Sequence, residues 1–163
     1  MRKKRFALVG MATVAGIGLA VTALGTPSSG VLSAPVVARA SFGERVSIKF
    51  RVGRETLKVR RAADTVMQQI VIGPGGTTGW HSHPGPVVVL IKAGTLSFVS
   101  SEDETCTPTD YTAGEAFIDS GQGHVHIAHN LSATENVELW ATYFDVPEGG
   151  AFRIDAPDPG TCL

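Results

Sequence analysis

Histidine is missing from most of this chain: residues 1–80, 84–123 and 130–163 contain none. Cysteine is almost as scarce, two in 163 residues, which leaves room for one disulfide or one pair of thiolate ligands. Beyond the N-terminal apolar run no segment shows a helical hydrophobic period, so the folded part reads as all-β. The glycine-rich stretch at 73–79 lacks the Lys-Ser/Thr ending of a phosphate loop and reads as a tight turn. Excess positive charge is lacking as well. The formal net charge is −1, and without Arg2, Lys3, Lys4, Arg5 and Arg39 nine basic residues face fifteen acidic ones, a net of −6. Such a domain has no electrostatic reason to bind nucleic acid, where affinity comes from neutralising phosphates. The basic residues from Arg45 to Arg61 read as the solvated face of edge strands.

The first forty residues stand apart. Met1–Arg5 is basic, Phe6–Leu24 is uncharged and rich in Ala, Val and Gly, and Ala38-Arg39-Ala40 fits the pattern a signal peptidase reads. Met1–Ala40 therefore reads as a secretory signal with its spacer, cleaved after Ala40. An uncleaved membrane anchor is the competing reading, because about 18–20 apolar residues just span a bilayer. Cleavage leaves residues 41–163 as one domain, exported to a periplasmic or extracellular space and without stable membrane association. In an oxidising compartment Cys106 and Cys162 read as a disulfide tying the C-terminal tail to a loop. Closing such a loop contributes roughly 4 kcal/mol in the chain-entropy model. Two thiolate ligands are the alternative, but their acidic loop settings give no sign of it.

Period-two alternation marks the strands. Arg45–Val52 places Val46, Ile48, Phe50 and Val52 on one face, and Thr65–Ile72 follows, ended by Gly73-Pro-Gly-Gly76. Val87–Ile91, Thr95–Val99, Ala116–Asp119, His124–His129 and Val137–Phe144 continue the series. Short strands at this spacing, separated by Gly, Pro, Asp and Asn clusters, indicate an antiparallel sandwich or barrel.

All five histidines fall in His81-Ser-His83 and His124-Val-His126-Ile-Ala-His129. Imidazole is the commonest protein ligand for transition metals, and residues at i and i+2 on a strand point the same way. The pattern therefore suggests two strands bringing imidazoles together on one ion. His129 has the opposite parity to His126 and should point away.

Around these histidines run Gly75-Gly-Thr-Thr-Gly-Trp-His81-Ser-His83 with Gly94, and Gly114, Gly123, His126 and Asn130. This paired pattern resembles the cupin superfamily, in its small single-domain form, over about residues 64–146. The resemblance implies a double-stranded β-helix, a jelly-roll barrel with the metal inside, and His81, His83 and His126 as ligands. It also implies a small-molecule ligand or substrate, with a homodimer paired through edge strands as one arrangement.

Two departures stand out. The glutamate of the first motif falls on Val87 or Val88, neither able to bind a metal, and the proline of the second motif is absent. No carboxylate is evident beside the histidines. Three neutral imidazoles would leave the full divalent charge on the ion, a stronger Lewis acid with more open positions. Mn, Fe, Ni, Cu and Zn all suit such a set. His124 is either a fourth ligand in place of the glutamate, a proton carrier at the cavity mouth, or a polar strand end.

Trp80, Phe98, Phe117, Trp140 and Tyr143 are candidate cavity walls, each otherwise core. Gln69 and Glu138 read as outward side chains or as cavity groups. The expected function is an exported metal-binding protein, either a small-molecule oxygenase or isomerase or a binding module without turnover.

Overall fold

The computed structural model describes residues 25–59 and 62–162, and it is all-β. The apolar run of the expected signal, up to Leu24, lies outside the described residues. No helix among the described residues is long and apolar enough to cross a membrane. Thirteen strands follow in order. The first five are β1 Ser29–Ser33, β2 Val36–Ser41, β3 Ile48–Val52, β4 Glu55–Val59 and β5 Asp64–Thr77. Next come β6 His81–Ser82, β7 Val87–Ala93, β8 Thr95–Ser100 and β9 Thr109–Thr112. The last are β10 Ala116–Asp119, β11 His126–His129, β12 Val137–Val146 and β13 Ile154–Asp155.

One layer has the order β10-β7-β12-β5, and a second runs β13-β6-β11-β8-β9, every pairing antiparallel. Both layers close over a common core, in which Val66, Val87, Val89, Leu139 and Ala141 of the first meet Leu96 and Ala128 of the second. This is the jelly-roll, or double-stranded β-helix, that the histidine motifs imply by resemblance. Strand alternation explains it. Along β12 Val137, Leu139, Ala141 and Tyr143 are buried while the residues between them are half-buried. Register then aligns Tyr143 with Val87, Ala141 with Val89 and Leu139 with Ile91. Each such fully buried aliphatic side chain contributes about 1.5–3 kcal/mol.

Strand β5 links the layers. It pairs with β12 over Asp64–Ile72 and reaches β11 at Thr77. The expected tight turn at Gly73-Pro-Gly-Gly76 is instead an irregular, bulged part of this strand. Opposite it, β1 advances from Val31 to Ser29 while β5 advances from Ile72 to Thr77. Glycine is needed here: Gly75 has φ +68°, and a Cβ on Gly76 would lie 2.7 Å from Ile72 Cγ2. A bulge at a sandwich corner bends a strand from one layer to the next, whereas a turn would end it.

The folded unit also begins earlier than residue 41. Strands β1 and β2 both pair with β5, and Arg39 donates to Asp64 Oδ2 at 2.6 Å. The first mature strand starts at Ile48 rather than Arg45 and forms a separate hairpin with β4. Strands β4, β9 and β13 have no counterpart in the sequence reading. Cys106 and Cys162 are joined in a disulfide, as expected, beside a small cluster of Trp80, Val99, Ile127 and Ala156.

Candidate metal centre

His81 on β6 stands directly across from His126 on β11, and His83 follows two residues further along the chain. All three are buried, and one ligand nitrogen from each lies within 4.8 Å of the others. The three residues named from the sequence are thus brought together, positioned for metal binding.

Backbone carbonyls fix two of the tautomers. His81 Nδ1 donates to Gly79 O at 2.8 Å, and His83 Nδ1 donates to Phe152 O at 2.7 Å. A carbonyl only accepts, so both rings carry the proton on Nδ1 and leave the Nε2 lone pair free, the arrangement typical of metal-ligating histidine. Phe98 stacks on the His126 ring with centroids 4.9 Å apart and holds it in place. Burial is the main cause of the low pKa values here. It pushes His83 and His126 down to about 4 and His81 well below the ordinary imidazole range, with like charge on His126 adding to the effect on His81 and His83. The imidazoles are therefore neutral at neutral pH, as metal ligation requires.

One residue beside them was missed by the sequence reading. Asp119, at the end of β10, is 6% exposed, with Oδ2 3.9 Å from His83 Nε2 and Oδ1 3.7 Å from His126 Nδ1. Oδ1 accepts the Gly121 N–H at 3.3 Å, while Oδ2 and His126 Nδ1 have no hydrogen-bond partner. Burial raises the Asp119 pKa, and the neighbouring His83 opposes that rise. The expectation that no carboxylate adjoins the histidines is therefore corrected. The available signal was its place as the one charged residue in a short apolar strand inside the second motif.

His124 is not on a strand. Gly121, Gln122 and Gly123 all have positive φ, so the chain turns there and β11 starts only at His126. A shared face with His126 would need His124 to lie within β11, whereas the turn over residues 121–123 precedes it and the strand begins two residues later. The His124 ring is instead paired with Glu102 at 2.6 Å on the surface, outside the three-histidine group. His129 is half-buried, outside that group, and faces Thr77 across the ladder, in keeping with its parity.

The histidines and Asp119 line a cavity of about 50 Å³ whose other walls are mostly apolar, Val87, Phe98, Phe117 and Tyr143 among them. Trp80 belongs to the core cluster near the disulfide rather than to these walls, and Trp140 is half-buried outside them. A second cavity of about 180 Å³ shares Phe98, Asp119 and His126 and is also lined by His124. Gln69 and Glu138 bond to each other at 2.6 Å, and Lys92 joins them at 2.9 Å, away from the cavity. A water needs roughly 10–15 Å³ of such volume, so the inner cavity has room for an ion and a ligand of a few heavy atoms.

Asn130, the last residue of the second motif, is fully buried. Its Nδ2 donates to the carbonyls of Ile72, Gly73 and Glu135 at 2.8–3.0 Å. It braces the point where β5 crosses between layers. A buried side chain of this kind is closed to the glycosylation its Asn-Leu-Ser context would otherwise allow.

No family model matches the chain, and no curated protein matches it. Among solved structures, similarity extends to Peruvianin-I, a cysteine peptidase from Thevetia peruviana latex, at 21% identity over 57% of this chain and TM-score 0.45. A cupin-like protein from Thermotoga maritima matches at 19% identity over 58% of this chain, TM-score 0.49. An oxalate oxidase matches at 22% identity over 58%, TM-score 0.45. The chain spans 56%, 65% and 52% of these three proteins, less than two thirds of each. No TM-score among them reaches 0.5, so the functional argument rests on the site.

Proposed function

We propose that the protein is a metal-dependent cupin-type enzyme, an oxygenase or isomerase acting on a small molecule, with one divalent ion held by His81, His83 and His126. The observation that carries this reading is the pair of backbone-locked Nδ1–H tautomers, which leave lone pairs converging in a buried cavity. Two buried polar atoms without hydrogen-bond partners lie at the same site, His126 Nδ1 in the three-histidine group and Asp119 Oδ2 beside it, 3.9 Å from His83 Nε2. Bound there, the ion would act as a Lewis acid on an oxygen or carbonyl of the substrate. The protein's own share is to keep the imidazoles neutral, exclude water behind Phe98 and Phe117, and limit the substrate to a few heavy atoms. We assign His124, which lines the adjoining cavity and pairs with Glu102, to proton transfer at the entrance rather than to ligation.

A binding module without turnover is the second reading, favoured by the mostly apolar cavity walls. Export fits both, since the Cys106–Cys162 disulfide is compatible with an extracytoplasmic location. A cleavage site that spares the sheet lies ahead of β1, for example after Gly25 in Ala23-Leu-Gly25, because Thr26 already bonds to Ala156 and Trp80.

Elemental analysis of the purified protein, and reconstitution with Mn, Fe, Ni, Cu and Zn, tests the metal. About one ion per chain is expected, with binding abolished in His81→Ala and His126→Ala and kept in His129→Ala. No bound ion under any of these conditions refutes the proposal. Oxygen consumption and product analysis with small carboxylates and thiols then separate the enzyme from the binder.

A further inference from the structure

Asp119 stands beside the histidines but outside the group that can share one ion. It is 6% exposed, and its Oδ2 has no hydrogen-bond partner among the described residues. The neighbouring groups explain why. His83 Nε2, 3.9 Å away, carries no proton, because the ring donates through Nδ1 to Phe152 O. His126 Nδ1 is nearest the other oxygen, Oδ1, at 3.7 Å, and Arg153 is engaged with Thr78 O and Asp155. A buried acceptor in this state costs stability until a ligand brings a donor to it.

Asp119 lines both the inner cavity and the outer one of about 180 Å³. At about 30 Å³ per water-sized group, the outer cavity holds roughly six heavy atoms. Its walls include the apolar Phe98, Ile118 and Val125, and Leu57 on β4. Leu57 comes from outside the two layers, since β4 pairs only with β3. It stands across from Phe50, whose ring packs 5.2 Å from that of Phe144. The apolar face of the hairpin is thus turned toward the barrel, and the Lys49–Lys58 pair lies on its other face.

We propose that the outer cavity is a substrate subsite, in which Asp119 Oδ2 accepts a hydrogen bond from a hydroxyl or amine of a small, mainly apolar molecule and Leu57 covers the apolar part. For its chemistry this rests on the three-histidine reading above. The reacting end of the molecule enters the inner cavity past Phe98 and His126, which line both spaces. The limit of a few heavy atoms applies to that end. A molecule of the same size without a donor is rejected, because it would desolvate Oδ2 and leave it unpaired.

The probes are 1-butanol and n-butylamine, with methyl propyl ether as the isomer of butanol that lacks a donor. Binding is read by saturation-transfer NMR on the metal-free and the Mn²⁺-loaded protein, where broadening of the ligand's protons reports closeness to the ion. A donor-bearing probe should bind about tenfold more tightly than the ether, and Mn²⁺ should broaden it. Asp119→Ala, with its fold checked by circular dichroism, should erase that preference, and Leu57→Trp, which fills the cavity, should block every probe. Preference for butanol alone narrows the class to neutral donors, and preference for butylamine alone narrows it to cations. Equal binding of all three probes to the wild type, or none, overturns the proposal without any variant. So does a preference that survives Asp119→Ala, binding unchanged in Leu57→Trp, or a bound probe that loaded Mn²⁺ does not broaden. A wild type that takes up no Mn²⁺ refutes the three-histidine reading instead, while the donor preference is still decided on the metal-free protein.

Discussion

Asn130 offers the sharpest test of how the fold holds the site. Its two N–H donors serve three carbonyls, those of Ile72, Gly73 and Glu135, and its Oδ1 accepts the Ser132 N–H at 3.1 Å. Substitution by alanine removes all of these at a residue with no solvent exposure. Each hydrogen bond contributes about 0.5–1.5 kcal/mol net, and a buried carbonyl left without a donor costs about 1–3 kcal/mol. Allowing for partial relaxation, Asn130→Ala should cost about 3–5 kcal/mol, a large part of the 5–15 kcal/mol typical of a domain. Asn130→Asp keeps the shape but turns both donors into acceptors facing three carbonyl oxygens. It should be worse than alanine at pH 7.

The sign of the pH effect follows from that geometry. An aspartate at position 130 would have its pKa raised in the folded state, so protonation restores one donor and stability recovers as pH falls. Urea unfolding at pH 7 and pH 4 checks this, with the exposed Leu131→Ala as a control expected within about 0.5 kcal/mol of the wild type. A second readout is metal affinity. Asn130 braces the β5 crossing, and next to it Thr78 Oγ1 accepts the Ala128 N–H on β11, the strand that carries His126. Asn130→Ala should therefore weaken Mn²⁺ binding as well. A cost below about 1 kcal/mol for alanine, or an aspartate variant as stable as the wild type at pH 7, refutes the reasoning.

Two further expectations concern stability. The Cys106–Cys162 bridge closes a loop with sequence separation 56, so replacing both cysteines by serine should cost about 4 kcal/mol in the chain-entropy model; an unchanged thermal midpoint would contradict this. Asp64 has its pKa lowered from 3.8 to about 2, first by Ser41, then by the Gly149 N–H and Arg39. Because the folded value lies below the unfolded one, its stabilisation is complete above pH 4 and is lost as pH falls toward 2. Asp64→Asn should flatten the acid-unfolding curve over that window and loosen β2, read by circular dichroism and hydrogen exchange, and identical curves would refute it.

Much of this molecule was legible from short strand-like runs between turn residues. The stretches around Val87, Thr95, Ala116 and Val137 fold as strands within a few residues of the expected bounds, because each is short and rich in β-branched or aromatic residues, Val87–Ile91 as a continuous apolar run and the others with polar residues between. What failed was local pattern without a partner. Val36–Ser41 reads as the end of a processed leader because its residues are small and Ala38-Arg-Ala40 matches a peptidase pattern, yet β5 supplies an edge for it and Asp64 an anchor for Arg39. Conversely, the alternation at His124-Val-His126 reads as strand, although glycines at 121 and 123 mark a turn. Parity holds only where the backbone is extended.

The metal centre shows the same division at the level of chemistry. Histidine spacing is local, so the sequence singles out His81, His83 and His126, and the structure brings them together. The rest of the site, however, belongs to a cavity wall, and a wall is built across strands. On that wall Val87 and Asp119 are neighbours separated by 32 positions in the chain but by one step in the sheet. A motif written along one strand records the absence at Val87 and is blind to the carboxylate beside it. The relevant question at a departure from a motif is therefore what stands opposite the altered residue, and an antiparallel ladder answers it through register.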